Sequence, residues 1–395
     1  MERAGDYNQR VVLQAIRLGG ETTRNELVAL TGLTAPTIAN ITRRLVASGL
    51  VRIVGRLHQG RGQPAVQLAI APDGAFGIGI TIDRDHLTVV ALDLAGQVRL
   101  RISHDVLYPL PDQVRAFVSD AVAVIAATPD IAVSRILGAG IAVPEPFSKA
   151  GLHGQPEGYA IWNDTNVAAL LQDLLPWPIH IDNDAAAAAL GELEFGSGRS
   201  YRSFFYLLIG AGLGGGLVLD GSFYRGGSAR SGEIGFLLSR APSTYGQPIE
   251  NRVSLSALYD RLSEAGCDSG TLDALDMNDT RATTVIADWI SEASAMLVDP
   301  MIAVNCLINP QAVLVGGRLP EPLMNALVAA LTDELAVHAA AMPSVAPIRR
   351  AAMADDAPAI GAALLPFSDH MLPSDAILMN QRQVDPFTEI KTNIR

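Results

Sequence analysis

The hydrophobic pattern of the first seventy residues is helical. From Asn8 to Leu18 the apolar residues Val11, Val12, Ala15 and Ile16 fall on one side of a 3.6-residue repeat, and Gly19-Gly20 ends it. Thr23-Arg24-Asn25-Glu26 has the form of a capping box, so a second helix starts there, turns Leu27 and Leu30 inward and stops at Gly32. Thr34 is placed to cap a third helix, with Pro36 in its first turn, where a missing N–H costs nothing. In that helix Ile38, Ile41 and Leu45 share one face, and Thr37, Asn40, Arg43 and Arg44 project from the other. Leu50 to Ile53 and Ala65 to Ile70 then read as two strands around a glycine-rich stretch, Gly55 to Pro64, which carries Arg56 and Arg61. Two short helices with a glycine turn, a third with a polar outer face and a basic hairpin predict a winged helix-turn-helix.

Farther along, apolar runs alternate with helical stretches. Gly77–Ile82 and Leu87–Leu94 read as neighbouring strands joined at Asp83-Arg84-Asp85-His86. Asp112–Ala127 reads as a helix, Ile136–Val143 as a buried strand ending at Pro144, and Val167–Leu174 as a helix after Trp162. Pro178–Ile181 is expected to be a short buried strand, followed by Asp182, Asn183 and Asp184 and an alanine-rich helix, Ala185–Leu190. Asn309–Gly317 reads as a helix end, a buried strand and a Gly-Gly turn. Asp355–Ala363 reads as a small-residue helix packed closely on something. The whole predicts an α/β body.

Gly210-Ala211-Gly212-Leu213-Gly214-Gly215 matches the dinucleotide-binding pattern literally, but Leu217-Val218-Leu219 after it is another strand where that pattern requires a helix. The stretch is therefore a glycine hairpin. It either cradles phosphate with backbone N–H groups or makes a tight turn that needs positive φ.

Composition bounds the class of protein. Hydrophobic residues make up 49% of 395, which excludes a disordered chain. No apolar run reaches about 18 residues, and the longest, near Phe204–Leu219, is broken by five glycines. Met1–Arg10 carries Glu2, Arg3, Asp6 and Arg10 with no apolar stretch, so no secretory leader is expected. Cys267 and Cys306 have no metal-binding spacing, which points to a reducing, cytoplasmic setting, no metal and no membrane. The net charge of −12 conceals an asymmetry: residues 1–70 hold nine Arg, no Lys and four acids. A basic module on an acidic body predicts contact with a polyanion.

The stretch Asp182-Asn183-Asp184 lies where a strand gives way to a helix. Its side chains are either helix caps or ligand contacts at a strand C-terminus. Asn183 can donate and accept, and Asp184 can accept from a hydroxyl or act as a base, which suits a polyhydroxylated ligand. Glu233 sits between glycines, where the backbone can approach a ligand closely, and Glu250 follows in Pro248-Ile249-Glu250-Asn251.

Ile181-Asp-Asn-Asp-Ala-Ala-Ala-Ala-Ala-Leu-Gly-Glu192, Ile209-Gly-Ala-Gly-Leu-Gly-Gly-Gly216 and Gly232-Glu-Ile-Gly235, in this order, resemble the ROK family of repressors, open reading frames and kinases. The resemblance runs from the helix-turn-helix to about Leu365. It implies an actin-like, ribonuclease-H-like body of two α/β lobes around a cleft. In ROK sugar kinases the matching Asn-Asp pair holds the sugar and the Asp is the base. The resemblance therefore implies sugar contacts from Asn183, Asp184, Glu233 and Glu250, the last followed four residues on by Ser254.

The departures matter as much. Where the family's phosphate loop reads Asp-x-Gly-Gly-Thr, this chain has Thr81-Ile82-Asp83-Arg84-Asp85. The zinc-binding His after Gly-Glu-Ile-Gly is Phe236, and residues 239–246 contain no Cys, so the family's structural zinc is not expected. The expectation is thus a non-enzymatic transcriptional regulator of carbohydrate metabolism, a repressor without cofactor. Its organisation is a winged helix-turn-helix over 1–72, a sugar-sensing body over 73–367 and a tail over 368–395. Thr37, Asn40, Arg43, Arg44 and Arg61 would touch an inverted-repeat operator, and the body would form a homodimer or homotetramer. The alternative is a sugar kinase with an appended DNA-binding domain.

Overall fold

The computed structural model describes residues 2–57, 64–144, 156–267, 272 and 275–373. By packing, the chain forms two compact units. One is built from Met1–Phe76, Asp93–Gln97 and Pro366–Arg395, the other from Gly77–Leu92 and Val98–Leu365.

In the first unit three helices lie with a three-stranded sheet. Helix α1 (Glu2–Gly19) begins earlier than its apolar periodicity indicates. Strand β1 (Thr22–Thr23) precedes α2 (Arg24–Thr31), whose start is the predicted capping box, with the Thr23 N–H donating to Glu26 at 2.6 Å. Gly32 at φ 69° ends α2, and Thr34 caps α3 (Ala35–Ala47). Strands β2 (Val51–Leu57) and β3 (Ala65–Ile70) pair antiparallel, in the order β1-β3-β2. Val12, Ile16, Leu27, Ile38, Leu45 and Leu68 are fully buried and form the core of this unit. The C-terminal side of the chain returns here: Arg10 Nη1 donates to the Leu372 carbonyl at 3.2 Å.

The second unit contains one topology twice. Strands β4 (Phe76–Ile82), β5 (His86–Asp93), β6 (Val98–Asp105), β7 (Ile136–Val143) and β8 (Ile179–Asn183) form a sheet in the order β6-β5-β4-β7-β8. Helices α4 (Pro111–Ala127) and α5 (Val167–Leu171) connect β6 to β7 and β7 to β8, and α6 (Asp184–Phe195) leaves β8 directly. Strands β9 (Phe204–Ile209), β10 (Leu213–Leu219), β11 (Ser222–Phe223), β12 (Ala312–Gly317) and β13 (Ile348–Arg350) repeat that order as β11-β10-β9-β12-β13. Here α7 (Glu250–Val253), α8 (Leu255–Glu264) and α9 (Thr280–Leu307) lie between β11 and β12. Helix α10 (Glu321–Val337) joins β12 to β13, and α11 (Ala357–His370) follows. This is the two-lobed, actin-like architecture. Helix α9 is long and apolar enough to cross a membrane by length and composition. Its Trp289, Ala293, Leu297 and Met301 are instead buried in the core of the second lobe.

Small residues let the lobes approach. Helix α6 lies on the second sheet: a Cβ on Gly214 would stand 2.9 Å from the Ala185 methyl, and one on Gly216 2.5 Å from that of Ala189. Helix α11 lies on the first sheet, where a Cβ on Gly79 or Gly140 would overlap the carbonyls of Ala359 and Ala362. The two helices also meet each other, since a Cβ on Gly361 would overlap the Ala187 carbonyl.

Some expectations change. Pro178–Ile181 is not a buried strand: β8 is the edge of its sheet, and Ile181 is 42% exposed. None of the glycines from Gly210 to Gly216 has positive φ, so they serve close packing rather than a strained turn. Strand β6 and helix α10 were not anticipated, and of α9 only its end before Asn309 was. In β6, Leu100 and Ile102 alternate with Arg99, Arg101 and Ser103, a pattern too polar to stand out.

Gly361→Ala tests the packing. Helix propensity alone would gain about 1 kcal/mol. The overlap with backbone should reverse the sign and cost about 3 kcal/mol. A lowered urea midpoint is expected; an unchanged or raised one contradicts the close contact.

Candidate functional site

The four carboxylate and amide candidates meet in one cleft between the lobes. Asn183, Asp184, Glu233 and Glu250 line it together with Arg84, Pro144, Leu208, Gly210, Gly212–Gly214 and Phe236, around a narrow cavity of about 30 Å³. Asn183 ends β8 and Asp184 opens α6, so the junction read from the sequence places both at a strand C-terminus. Asn183 is also the helix cap: its Oδ1 accepts from the N–H groups of Ala185 and Ala186 at 2.9 and 3.1 Å. Its acceptor is thus committed, and the amide NH₂ is what remains for a ligand. Asp182 turns away and makes a bidentate pair with Arg225, at 3.0 and 2.6 Å.

Glu233 precedes a single helical turn, Ile234–Phe236, after Gly232 at φ 87°. A Cβ on Gly232 would overlap the Gly215 carbonyl, so the glycine is what lets this loop lie against β10. Glu250 begins α7 and is 5% exposed. Ser254 caps the next helix by accepting from the Ala257 N–H at 3.3 Å.

The turn between β4 and β5 holds what the sequence reading missed. Asp83, Arg84, Asp85 and His86 are all buried. The Asp83 N–H donates to the His86 carbonyl at 3.0 Å, and the Arg84 N–H to Asp83 Oδ1 at 2.7 Å, so these donors are used internally. Asp85 faces His86 Nδ1 at 2.7 Å and Arg318 at 3.3 Å, and Arg318 also donates to Asp105 at 2.6 Å. Burial pushes the Asp85 pKa up, but the His86 bond and the charges of His86 and Arg318 outweigh it, and the net shift is down. Burial pulls His86 down, and its bond to Asp85 wins, so it is raised. The Arg84 side chain enters the cleft: a Cβ on Gly212 would lie 2.9 Å from its Nη1 and 2.6 Å from Glu250 Oε1.

Asp184 is shifted strongly upward. Burial first, and then the nearby Asp83, lift its pKa to about 7; the Ala185 N–H and Arg84 oppose this, and Glu233 adds to it. Asp83 is raised too, by burial and by Asp85. Near neutral pH the cleft therefore holds a carboxyl that can donate or accept a proton.

On α3, Asn40, Arg43 and Arg44 are exposed and Thr37 is half-buried, its hydroxyl 2.9 Å from that of Thr34. Ile38, Ile41 and Leu45 fill the inner face, as their spacing predicts, and Thr42 is buried with them. Arg61 lies outside the described residues.

The fold and this cleft define a sugar-kinase-like body behind a helix-turn-helix. The ROK family profile matches residues 77–368, and the chain belongs to the ROK family. It is 26% identical over 231 residues to the xylose repressor of Bacillus spizizenii, across 58% of this chain and 60% of the repressor. Its fold is that of a ROK family transcriptional regulator homologous to Escherichia coli Mlc, with TM-score 0.67, 20% identity, and coverage of 95% of this chain and 100% of the other. A ROK glucokinase of Streptomyces griseus, solved with glucose and AMPPNP, matches 74% of this chain and 99% of its own at TM-score 0.55 and 20% identity. The family thus includes both regulators and sugar kinases.

Asp184 makes stability depend on pH. Its folded pKa of about 7 exceeds the ordinary 3.8, so the native state holds the proton and loses stability as pH rises from about 4 to 7. Asp184→Asn should therefore stabilise the protein at pH 8, on the order of 2–4 kcal/mol, and much less at pH 5. Melting curves at the two pH values check this; an equal effect at both contradicts the shift.

Proposed function

We propose that the chain is a DNA-binding transcriptional regulator, a repressor of carbohydrate metabolism, whose ROK body senses a small carbohydrate. One observation carries this reading. The turn that would hold nucleotide phosphates uses its N–H groups internally and sends Arg84 into the cleft, while the sugar-facing set Asn183, Asp184, Glu233 and Glu250 stays together. A cleft that keeps its sugar contacts and lacks a phosphate cradle is suited to binding without transfer.

In this reading residues 1–72 read DNA, 73–367 sense and oligomerise, and 368–395 form a tail. The exposed row Asn40, Arg43 and Arg44, with Thr37 at its start, enters the major groove, and Arg61 reaches the minor groove. A homodimer or homotetramer presents two such helices to an inverted repeat in the cytoplasm. Ligand in the cleft shifts the orientation of the lobes, and with it the spacing of the recognition helices. The xylose repressors among its relatives support a sugar as effector.

The second reading, a sugar kinase, has one observation in its favour: an Asp184 pKa of about 7 is that of a general base poised at neutral pH. ATP turnover separates the two. No sugar-dependent ADP release above background is expected; release at an ordinary kinase rate, abolished by Asp184→Asn, would sink the regulator-only reading. For the DNA half, Arg43→Ala should weaken operator binding about tenfold and flatten its salt dependence. Unchanged affinity and footprint would remove α3 from the interface.

A further inference from the structure

The cleft has two chemically different ends. The first lobe supplies Asn183, whose acceptor oxygen is already committed to the start of α6, leaving its NH₂, and the Arg84 guanidinium. Both are donors. The second lobe supplies Glu233 and Glu250, which are acceptors. Three charged carboxylates against one guanidinium disfavour an anion. Burial changes that balance: with the Asp184 pKa lifted to about 7 and that of Asp83 raised as well, the first-lobe end loses negative charge near neutral pH, and a protonated Asp184 becomes a third donor. Arg84 presents five N–H donors in a fork, enough to serve Glu250 and a ligand together.

We propose that the carbohydrate held in this cleft is a sugar acid, its carboxylate bound by Arg84 with the Asn183 amide and its hydroxyls facing Glu233 and Glu250. The proposal rests on the sugar-sensing reading above. A carboxylate fits better than a phosphate ester. It brings one negative charge in a plane that matches the guanidinium fork, whereas a phosphate brings nearly two. Arg84 is the one basic side chain among the described residues lining the cleft. A neutral sugar would satisfy Glu233 and Glu250 but would leave the donor end facing hydroxyls alone. Arg84 is thereby a specificity residue, placed where the sugar kinases' loop carries glycine.

The test is isothermal titration of the full chain at pH 7. The probes are glucuronate, galacturonate and gluconate, their neutral counterparts glucose and galactose, and glucose 6-phosphate. At least one acid should bind about tenfold or more tightly than its neutral counterpart, the increment of a charged hydrogen-bonded pair. Arg84→Gln should weaken that acid about tenfold or more and change neutral-sugar binding less than about twofold. Arg84→Lys should fall between, because it keeps the charge and loses the fork. Melting curves verify that both variants fold. Tighter binding of a neutral sugar, insensitive to Arg84 but lost in Glu233→Gln, overturns this proposal alone and leaves the sensor standing. Preference for glucose 6-phosphate overturns the carboxylate assignment. No binding of any probe by the wild type overturns the sensor reading and this one with it.

Discussion

The structure of the body depends on a contact that has no room for side chains. Helices α6 and α11 each leave one lobe and lie on the sheet of the other, and they touch where Gly361 meets the Ala187 carbonyl. Ala185 to Ala189 are buried because larger residues would hold the lobes apart. Glu192 secures the same axis: fully buried, it accepts from the N–H groups of Ser197 at 2.8 Å and Met353 at 2.6 Å, and so ties the end of α6 to the approach of α11. Packed glycine and alanine interfaces of this kind are bistable rather than elastic, since neither helix can slide far without clashing.

The cleft sits on that axis, because α6 begins with Asp184. The cleft is lined from both lobes at once, by Arg84, Asn183 and Asp184 from one and Glu233 and Glu250 from the other. Charges already cross between lobes without it: Arg318, just after β12, reaches Asp85 and Asp105 on the first lobe. The Asp85 end of this set is buried, so removing Arg318 leaves a charge uncompensated there. The turn that departs from the family's phosphate loop therefore also has a role in holding the lobes.

Much of this was legible in the chain. The capping box at Thr23, the Gly32 stop, the Thr34 cap and the two faces of α3 follow from local chemistry that needs no partner. The strand-to-helix junction at Asn183 was legible for the same reason: Asn183 caps α6 and also lines the cleft. What the sequence hid was tertiary. An edge strand such as β8 has the same residues as a buried one until its neighbours are known. The glycines of β10 looked like turn residues and are contact residues. Arg84 looked like damage to a loop, and only the fold shows that its side chain is buried in the cleft.

The central claim is that a sugar in the cleft controls DNA binding without being phosphorylated. Fluorescence anisotropy of labelled operator, titrated with a carbohydrate panel in the presence of wild type and Asp184→Ala, tests it most directly. The account predicts that one carbohydrate releases the wild type from DNA, and that Asp184→Ala binds the operator equally well but no longer responds. Equal release of both proteins by the same carbohydrate would contradict it.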